Sequence, residues 1–590
     1  MKPLLLLIAS ACHAQTEPTV ELGYRWRPEL RGSQDSYRNI VNMGEGPKLV
    51  YFESPFELGA NKFRFTARDW GGDPFSAARL EASRENWYKA AFDYRELSYF
   101  GSAGAALAPS FDTRRRWANL DLDLLPGRRI QPFFSYSHDS GSGHGVTSFV
   151  TATDEFPVSM AIRDRTEHFR AGARIGFKSA QLTLEQGGTI FREEDGGLAS
   201  GPNYGRREAP YNGQRLVLNG LDQAFTADGH TIYERVAGQA NPWSWLDVAG
   251  QYTHAQQMMN ATDNYAARGL FYTPPTLAFQ TALTGIALTE TKQPRNAASF
   301  RVEARPFAKL RLIESWLTDR LNTAPGVMTW NFTDQQLLAI LDVTKRVTLR
   351  GGQRSVWGDA RLRPPQLGGP DTGMLRRQAA LAGFTVKPIQ AIRWDTDYEG
   401  TYSADRNVVR TTPTDYQKVR SKARYQIAPP LEVSASFSSI DNTTRDYKFH
   451  NRVVSFDAVW HPGGGKAWSV VGGYTHQNYA SGIDYYIPQI LEKARAEYRE
   501  RGHSVHAFAE WNGKRCQFAV GGVSLTSDGS RPLHLYQPVA RVSVPTGKRL
   551  SWHAEWRWHE LSDRALGPDS FGAHLVRVSA RWSPPPRAAK

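Results

Sequence analysis

From Ile392 to Phe437 the chain alternates apolar and polar residues through three segments. Ile392, Trp394, Thr396, Tyr398 and Tyr402 fall on one parity, and Arg393, Asp395, Asp397, Glu399 and Thr401 on the other. After a polar stretch, Val419, Ser421, Ala423, Tyr425 and Ile427 alternate with Lys418, Arg420, Lys422, Arg424 and Gln426. A turn at Ala428-Pro429-Pro430 leads into Leu431, Val433, Ala435 and Phe437, which alternate with Glu432, Ser434, Ser436 and Ser438. Side chains of a strand point to opposite faces in turn, so each segment predicts a strand with one apolar and one polar face. A row of four basic residues needs a wet surface.

The same unit recurs along the chain. Val20, Leu22, Tyr24 and Trp26 alternate with Glu21, Gly23, Arg25 and Arg27, giving a first strand with no plug domain expected ahead of it. Short turns follow at Gly59-Ala60-Asn61, Glu85-Asn86-Trp87, Pro126-Gly127-Arg128, Lys178-Ser179, Asn241-Pro242-Trp243 and Pro306-Phe307-Ala308. Others fall at Thr344-Lys345, Lys387-Pro388, Ala428 to Pro430, Pro462 to Gly465, Asn512-Gly513-Lys514 and Pro545-Thr546-Gly547. Gly, Pro and Asn supply the backbone angles that hairpins need. Hairpin counting, with a last strand at Gly572 to Trp582, gives about 26 strands. Connections at the other end are longer, around Ser140 to Thr166, Glu193 to Gly229, Gln256 to Asn296, Thr318 to Asp334, Gly358 to Leu375 and Gln477 to Gly502. Apolar Ile487, Ile490, Leu491 and Ala494 at helical spacing predict a short helix over Ile487 to Arg501 in one of these loops. Short turns at one end and long loops at the other is the asymmetry of a transmembrane antiparallel outer-membrane β-barrel, with short ends periplasmic and long ends extracellular. A soluble sandwich or propeller would lack it.

In lipid every backbone group must pair internally, so strands cross a membrane only as a closed barrel, with the apolar parity outward. Trp87, Trp243, Trp245, Trp460, Trp468, Trp511 and Trp552 lie beside the short turns and form a candidate periplasmic aromatic girdle. A sugar-binding track is the alternative and would need the rings to point inward. On the other parity, Lys418, Arg420, Lys422 and Arg424 stand one strand from Arg393, Asp395, Asp397 and Glu399. Opposite charges across a strand pair are worth ~0.2–1 kcal/mol each, so a structural charge ladder is expected first and a ligand- or partner-contacting row second. Arg25, Arg27, Arg577 and Arg581 lie on the first and last strands and would concentrate positive potential at the seam.

Composition agrees with this architecture. Mean hydropathy is −0.50 and aromatic content 12%, and no run approaches the ~20 apolar residues of a spanning helix. Lys2, the apolar stretch Leu4 to Ala11 and the small residue Ala14 read as a signal peptide cleaved after residue 14, leaving 15–590 as a single barrel in the outer membrane of a Gram-negative bacterium. A lipoprotein signal ending at Cys12 is the rival. The only other cysteine is Cys516, so a disulfide framework and covalent c-type haem are both excluded. The net charge of +14 would suit nucleic acid, an anionic membrane or an acidic partner, and export disfavours nucleic acid. No nucleophile elbow, phosphate loop or His-Glu-x-x-His occurs, and His503 and His506 are the one histidine pair worth testing for metal. No enzyme activity, no bound cofactor and no metal are expected.

Val20-Glu21-Leu22-Gly23-Tyr24, Ser36-Tyr37-Arg38 and Gly44-Glu45-Gly46-Pro47-Lys48-Leu49 resemble the opening of the decahaem-cytochrome-associated outer-membrane porins, the MtrB/PioB-like family. The resemblance implies a porin-like sheath for trans-outer-membrane electron transfer, with a periplasmic multihaem c-type cytochrome in the lumen carrying the haem. This chain lacks the N-terminal Cys-x-x-Cys of some members. The alternative expectation is a loop-gated diffusion porin or anion-selective channel without a redox partner. A TonB-type receptor ranks third, for want of a plug.

Overall fold

Alternating segments with β-branched and aromatic residues on one face pair edge to edge, and here they do so until no edge is left. The computed structural model describes residues 18–584 apart from 102–110, 152, 208, 274–275, 324–327, 363–370, 405–414, 444–446, 463–466, 488–491, 514 and 565–568. The expected signal peptide and its rival lipoprotein site lie outside the described residues. Twenty-six strands form one antiparallel sheet. The barrel opens with β1 (Thr19–Gly32), β2 (Gly46–Leu58), β3 (Asn61–Trp70), β4 (Phe75–Arg84), β5 (Tyr88–Gly101) and β6 (Phe111–Leu124). The longest strands follow: β7 (Ile130–Val150), β8 (Glu155–Gly176), β9 (Ala180–Asn203), β10 (Val217–Trp243), β11 (Leu246–Thr273) and β12 (Ala278–Phe307). Next come β13 (Leu310–Asn322), β14 (Met328–Thr344), β15 (Val347–Leu362), β16 (Asp371–Val386), β17 (Ile392–Ala404), β18 (Tyr416–Ala428) and β19 (Leu431–Thr443). The circuit ends with β20 (Tyr447–Trp460), β21 (Trp468–Ile487), β22 (Glu492–Asn512), β23 (Gln517–Gly529), β24 (Leu533–Pro545), β25 (Leu550–Asp563) and β26 (Phe571–Trp582).

The last strand pairs with the first from Val20↔Trp582 to Gly32↔Phe571, with one register shift between Trp26 and Glu29, so the sheet closes. With strands ~4.8 Å apart the circuit implies a diameter of about 40 Å, more once strand tilt is included. Tight connections occur where the chain can take a left-handed backbone. Gly59 sits between β2 and β3 at φ +60°, and Asn86 between β4 and β5 at φ +59°.

Two expectations about the opposite end are corrected. Much of the sequence expected as long loop at Ser140 to Thr166, Glu193 to Gly229 and Gln256 to Asn296 is strand, because β7 to β12 run on for 21, 22, 24, 27, 28 and 30 residues. A 30-residue strand reaches roughly 100 Å, far more than a ~10-residue span requires. The extensions have a small core of their own at the tip, where Phe156, Leu218 and Phe271 are completely buried with Phe149 and Val158. Of the helix expected over Ile487 to Arg501, Ile490 and Leu491 lie outside the described residues, and the described part is strand: Ile487 pairs with Glu492, and the ladder continues through Arg501↔Asn478. Apolar residues at helical spacing give way there to the pairing of two neighbouring strands.

Among the described residues one helix does form, α1 (Gln34–Ile40), between β1 and β2. Ser33 caps it, its Oγ accepting from the Ser36 amide at 3.1 Å. Tyr37, 1% exposed, packs edge-on to Phe571 with Leu561, Ala573 and Leu575, and its hydroxyl donates to the Met43 carbonyl at 2.7 Å. Those partners share a parity with Arg577, so α1 leans on the polar, inner side of β25 and β26.

Candidate functional site

The inner wall between β13 and β18 brings together most of the charged residues that the alternation singles out. Glu399 faces Lys418, Asp397 faces Arg420 and Asp395 faces Lys422 in register, as the ladder predicts. Arg393, however, faces Arg424. The bonds also run elsewhere: Asp395 takes a fork from Arg393 at 2.7 and 3.0 Å and a hydroxyl from Thr385 at 2.6 Å. Asp397 pairs with Arg350 of β15 at 2.8 Å, two strands away. Glu399 pairs with Arg354 at 3.1 Å and accepts from Tyr416 at 2.6 Å, with Lys418 only at 4.0 Å. Arg354 in turn forks onto Asp334 at 2.6 and 2.9 Å.

Glycine makes the long reach possible. Arg350, Gly383 and Asp397 are consecutive rungs across β15, β16 and β17. A Cβ on Gly383 would sit 2.5 Å from the Asp397 carboxylate and 2.9 Å from Arg350 Nε. The device recurs. Arg115 reaches Asp164 at 3.0 Å over Gly141, and His506 approaches Asp457 at 4.0 Å over Gly473.

Because its carboxylates are taken by β15 and by Arg393, the ladder leaves Arg420, Lys422 and Arg424 exposed. Among the described residues no carboxylate comes within 4.0 Å of these three. On their other side the facing residues are Ser438, Ser436 and Ser434. A hollow of about 270 Å³ opens beside the row, lined by Arg350, Asp397, Glu399, Lys418 and Arg420. A separate, larger groove of about 580 Å³, which shares Gln336 with the first, lies over the small residues Ala237, Ala249, Ser299 and Ser315, with Arg301 and Arg354 at its sides.

At the seam, Arg25 faces Arg577 directly, an unfavourable placement on its own. Carboxylates offset it. Asp73, from the connection between β3 and β4, bonds both Arg25 and Lys48, the latter at 2.9 Å; Lys48 also donates to the Gly71 carbonyl at 2.6 Å. Glu555 sits among Arg541 at 2.7 Å, Arg557 at 2.8 Å and Arg577 at 3.5 Å. Arg581 lies over the Tyr51 ring and Arg27 over Tyr37. The positive charge at the seam is therefore offset only in part, two carboxylates standing among five cations while Arg27 and Arg581 rest on neutral rings. Arg350, Arg354 and Asp334 were within reach of the parity argument that found β17 and β18, whereas Asp73 lies in a connection where no periodicity points to it.

Trp243, Trp460, Trp468, Trp511 and Trp552 stand at or within three residues of strand ends beside short connections, and Trp87 and Trp245 lie in such connections. All but Trp511 are exposed. Trp243 stacks on Trp245 at 5.5 Å and Trp468 lies 6.3 Å from Trp511. Trp460, Trp468, Trp511 and Trp552 share the apolar parity of their strands, the face away from the charged wall. His503 and His506 fall on opposite faces of β22, so they cannot grip one ion together; the His503 ring instead lies 4.6 Å from that of His476, tilted by 36°.

No protein-family model matches the chain, and no curated protein sequence does. Solved structures similar to it include the outer membrane transporter YddB from Escherichia coli, at 9% identity, 96% of this chain, 81% of that one and a TM-score of 0.46. The ferripyoverdine receptor of the outer membrane of Pseudomonas aeruginosa matches at 10% identity, 96% and 72% coverage and TM-score 0.45. The copper transporter OprC matches at 8%, 97% and 80% coverage and 0.47. These neighbours are receptors and transporters, and they overturn the expected kinship with the decahaem-cytochrome-associated porins. With that kinship go the electron-transfer role, the multihaem cytochrome partner and its haem; the loop-gated diffusion porin is not supported either. What remains is a large outer-membrane β-barrel. Identities and TM-scores this low say nothing about cargo.

Proposed function

We propose that this chain is an outer-membrane transporter, and not an enzyme, that moves a bulky hydrophilic cargo along the charged inner wall of its barrel. One observation carries the reading: inside a circuit of about 40 Å the wall holds two neighbouring hollows that share Gln336, one floored by small residues with Arg301 and Arg354 beside it, the other edged by Arg350 and Arg420. Apolar side chains face lipid on the other parity, Trp394, Tyr398, Tyr425 and Ile427 among them, all exposed in the isolated chain.

The test is release from proteoliposomes loaded with size-graded fluorescent hydrophilic polymers. Polymers too large for ordinary diffusion porins should leave vesicles that contain the folded barrel. Retention of everything above the size of a small sugar would overturn the reading.

The short connections are placed in the periplasm and the tall strand ends outside, with export by a cleaved signal peptide. Cys516, whose carbonyl accepts from the Gly513 amide at 2.9 Å, marks the short connection between β22 and β23. A membrane-impermeant maleimide should therefore label Cys516 only after the outer membrane is permeabilised, with Cys516→Ser as control. Labelling in intact cells would invert the orientation.

A further inference from the structure

The row Arg420, Lys422 and Arg424 differs from every other part of the charged wall described above, because its charge is not answered. We infer that this row is a binding strip for a linear polyanion, the class of cargo that the transport reading, on which this inference rests, leaves open. Three features lead there. First, the nearest carboxylates are already spent: Asp397 on Arg350 and Asp395 on Arg393 and Thr385. The glycine gap at Gly383 fixes the first of these, since only without a side chain there can Arg350 reach across β16. Secondly, the neighbouring strand offers Ser434, Ser436 and Ser438 in register with the three cations. Serines are short enough to leave the basic side chains room, and their hydroxyls donate to anionic oxygens. Thirdly, the row is one strand wide and evenly spaced, with cations about 6–7 Å apart along a strand tilted roughly 40° to the barrel axis.

That shape suits an extended chain of repeated charges better than a single small anion, which would use one cation and ignore the rest. It suits a folded acidic surface less well, because that would need a broad patch. The hollow beside Lys418 and Arg420 gives the chain a place to seat at one end of the strip. The strip works as charges in water do. Its attraction falls with salt on a Debye length of ~8 Å at physiological ionic strength, so it holds a polymer through several weak contacts and lets it slide.

The experiment is fluorescence anisotropy on the folded, detergent-solubilised barrel, with labelled polygalacturonate and labelled inorganic polyphosphate as separate probes. Saturable binding that weakens with salt is expected, and the triple variant Arg420→Gln, Lys422→Gln, Arg424→Gln should weaken it at least tenfold. Lys309→Gln, Lys345→Gln, Lys387→Gln removes the same charge from short connections and should leave binding unchanged. Arg420→Lys with Arg424→Lys keeps the charges and should keep binding, which guards against a triple variant that merely folds poorly. Binding of one probe alone assigns the strip to carboxylate or to phosphate polymers, and either supports it. Equal loss in the two triple variants, or binding of monomeric galacturonate or phosphate as tight as that of the polymers, would overturn it. Because the assay needs no transport, a barrel that releases large polymers from vesicles yet binds no polyanion would sink this inference and leave the transport reading standing.

Discussion

Gly383 bears on stability through what its missing side chain permits. Gly383→Ala would push a methyl into the Arg350–Asp397 pair and should cost about 1–3 kcal/mol, the usual penalty for disrupting a partly buried charged hydrogen bond. Gly351, on the opposite face of β15, has nothing within 4 Å of where a Cβ would go, so Gly351→Ala should be neutral or slightly stabilising. Urea midpoints for folding into lipid vesicles would compare the two, and equal shifts would contradict the glycine-gap account. A second residue-scale outcome concerns Glu193, in the part of β9 beyond the membrane span. Burial and the neighbouring carboxylates Asp195 and Asp164 raise it to about 7 from the usual 4.5. Arg115 is held by Asp164, and the rungs facing Glu193 and Asp195 on β10 are Ala227 and Phe225, so no cation relieves it. Between those two pH values the folded chain keeps a proton that the unfolded chain has lost, so stability falls as pH rises through that window and is level above it. Hydrogen exchange in β9 at about pH 5 and about pH 8 should show that slope, and Glu193→Gln should abolish it. Single-sequence parity identified which residues are charged and on which face; it could not identify their partners, because those depend on a register three strands wide.

Among the elements, the strands were the legible part, since period two survives wherever one face meets lipid and the other water. Above the lipid both faces are wet, and Arg163, Arg165, Arg192 and Glu194 on the outer parity of β8 and β9 hide the continuing ladder from a hydrophobicity pattern. That is why the tall strands read as loops. The helix α1 left a weaker trace in Ser33 followed by Asp35, a cap and an acidic first turn, with too few residues for a periodicity of its own. Its anchor is Tyr37. Tyr37→Ala should free the connection between β1 and β2 at a local cost of about 3–5 kcal/mol, seen as new protease cleavage at residues 33–45 while the barrel stays folded. Tyr37→Phe gives up only the bond to Met43 and should change cleavage little.

For the whole molecule, closure rests on the seam. Glu555 holds three arginines with its side chain 12% exposed, so Glu555→Gln leaves that group of cations without its counter-charge. A loss of about 3 kcal/mol is expected, as for a buried ion pair broken on one side, and the temperature at which the folded band disappears from a detergent gel should drop. Arg541→Gln, at a half-exposed partner, should shift it far less. The strand number was readable because each hairpin announces itself by a turn. The height of the rim was not, and it is uneven: β3 and β4 have 10 residues each, against 30 in β12. With the tall strand ends outside, as proposed, a rim that rises on one side gives a visitor from outside the cell a fixed order of encounter. Antibodies and phage tail fibres would meet the hairpin tips of β7 to β12 before anything else, so resistance mutations selected against such binders should gather at those tips and spare the low rim near the seam.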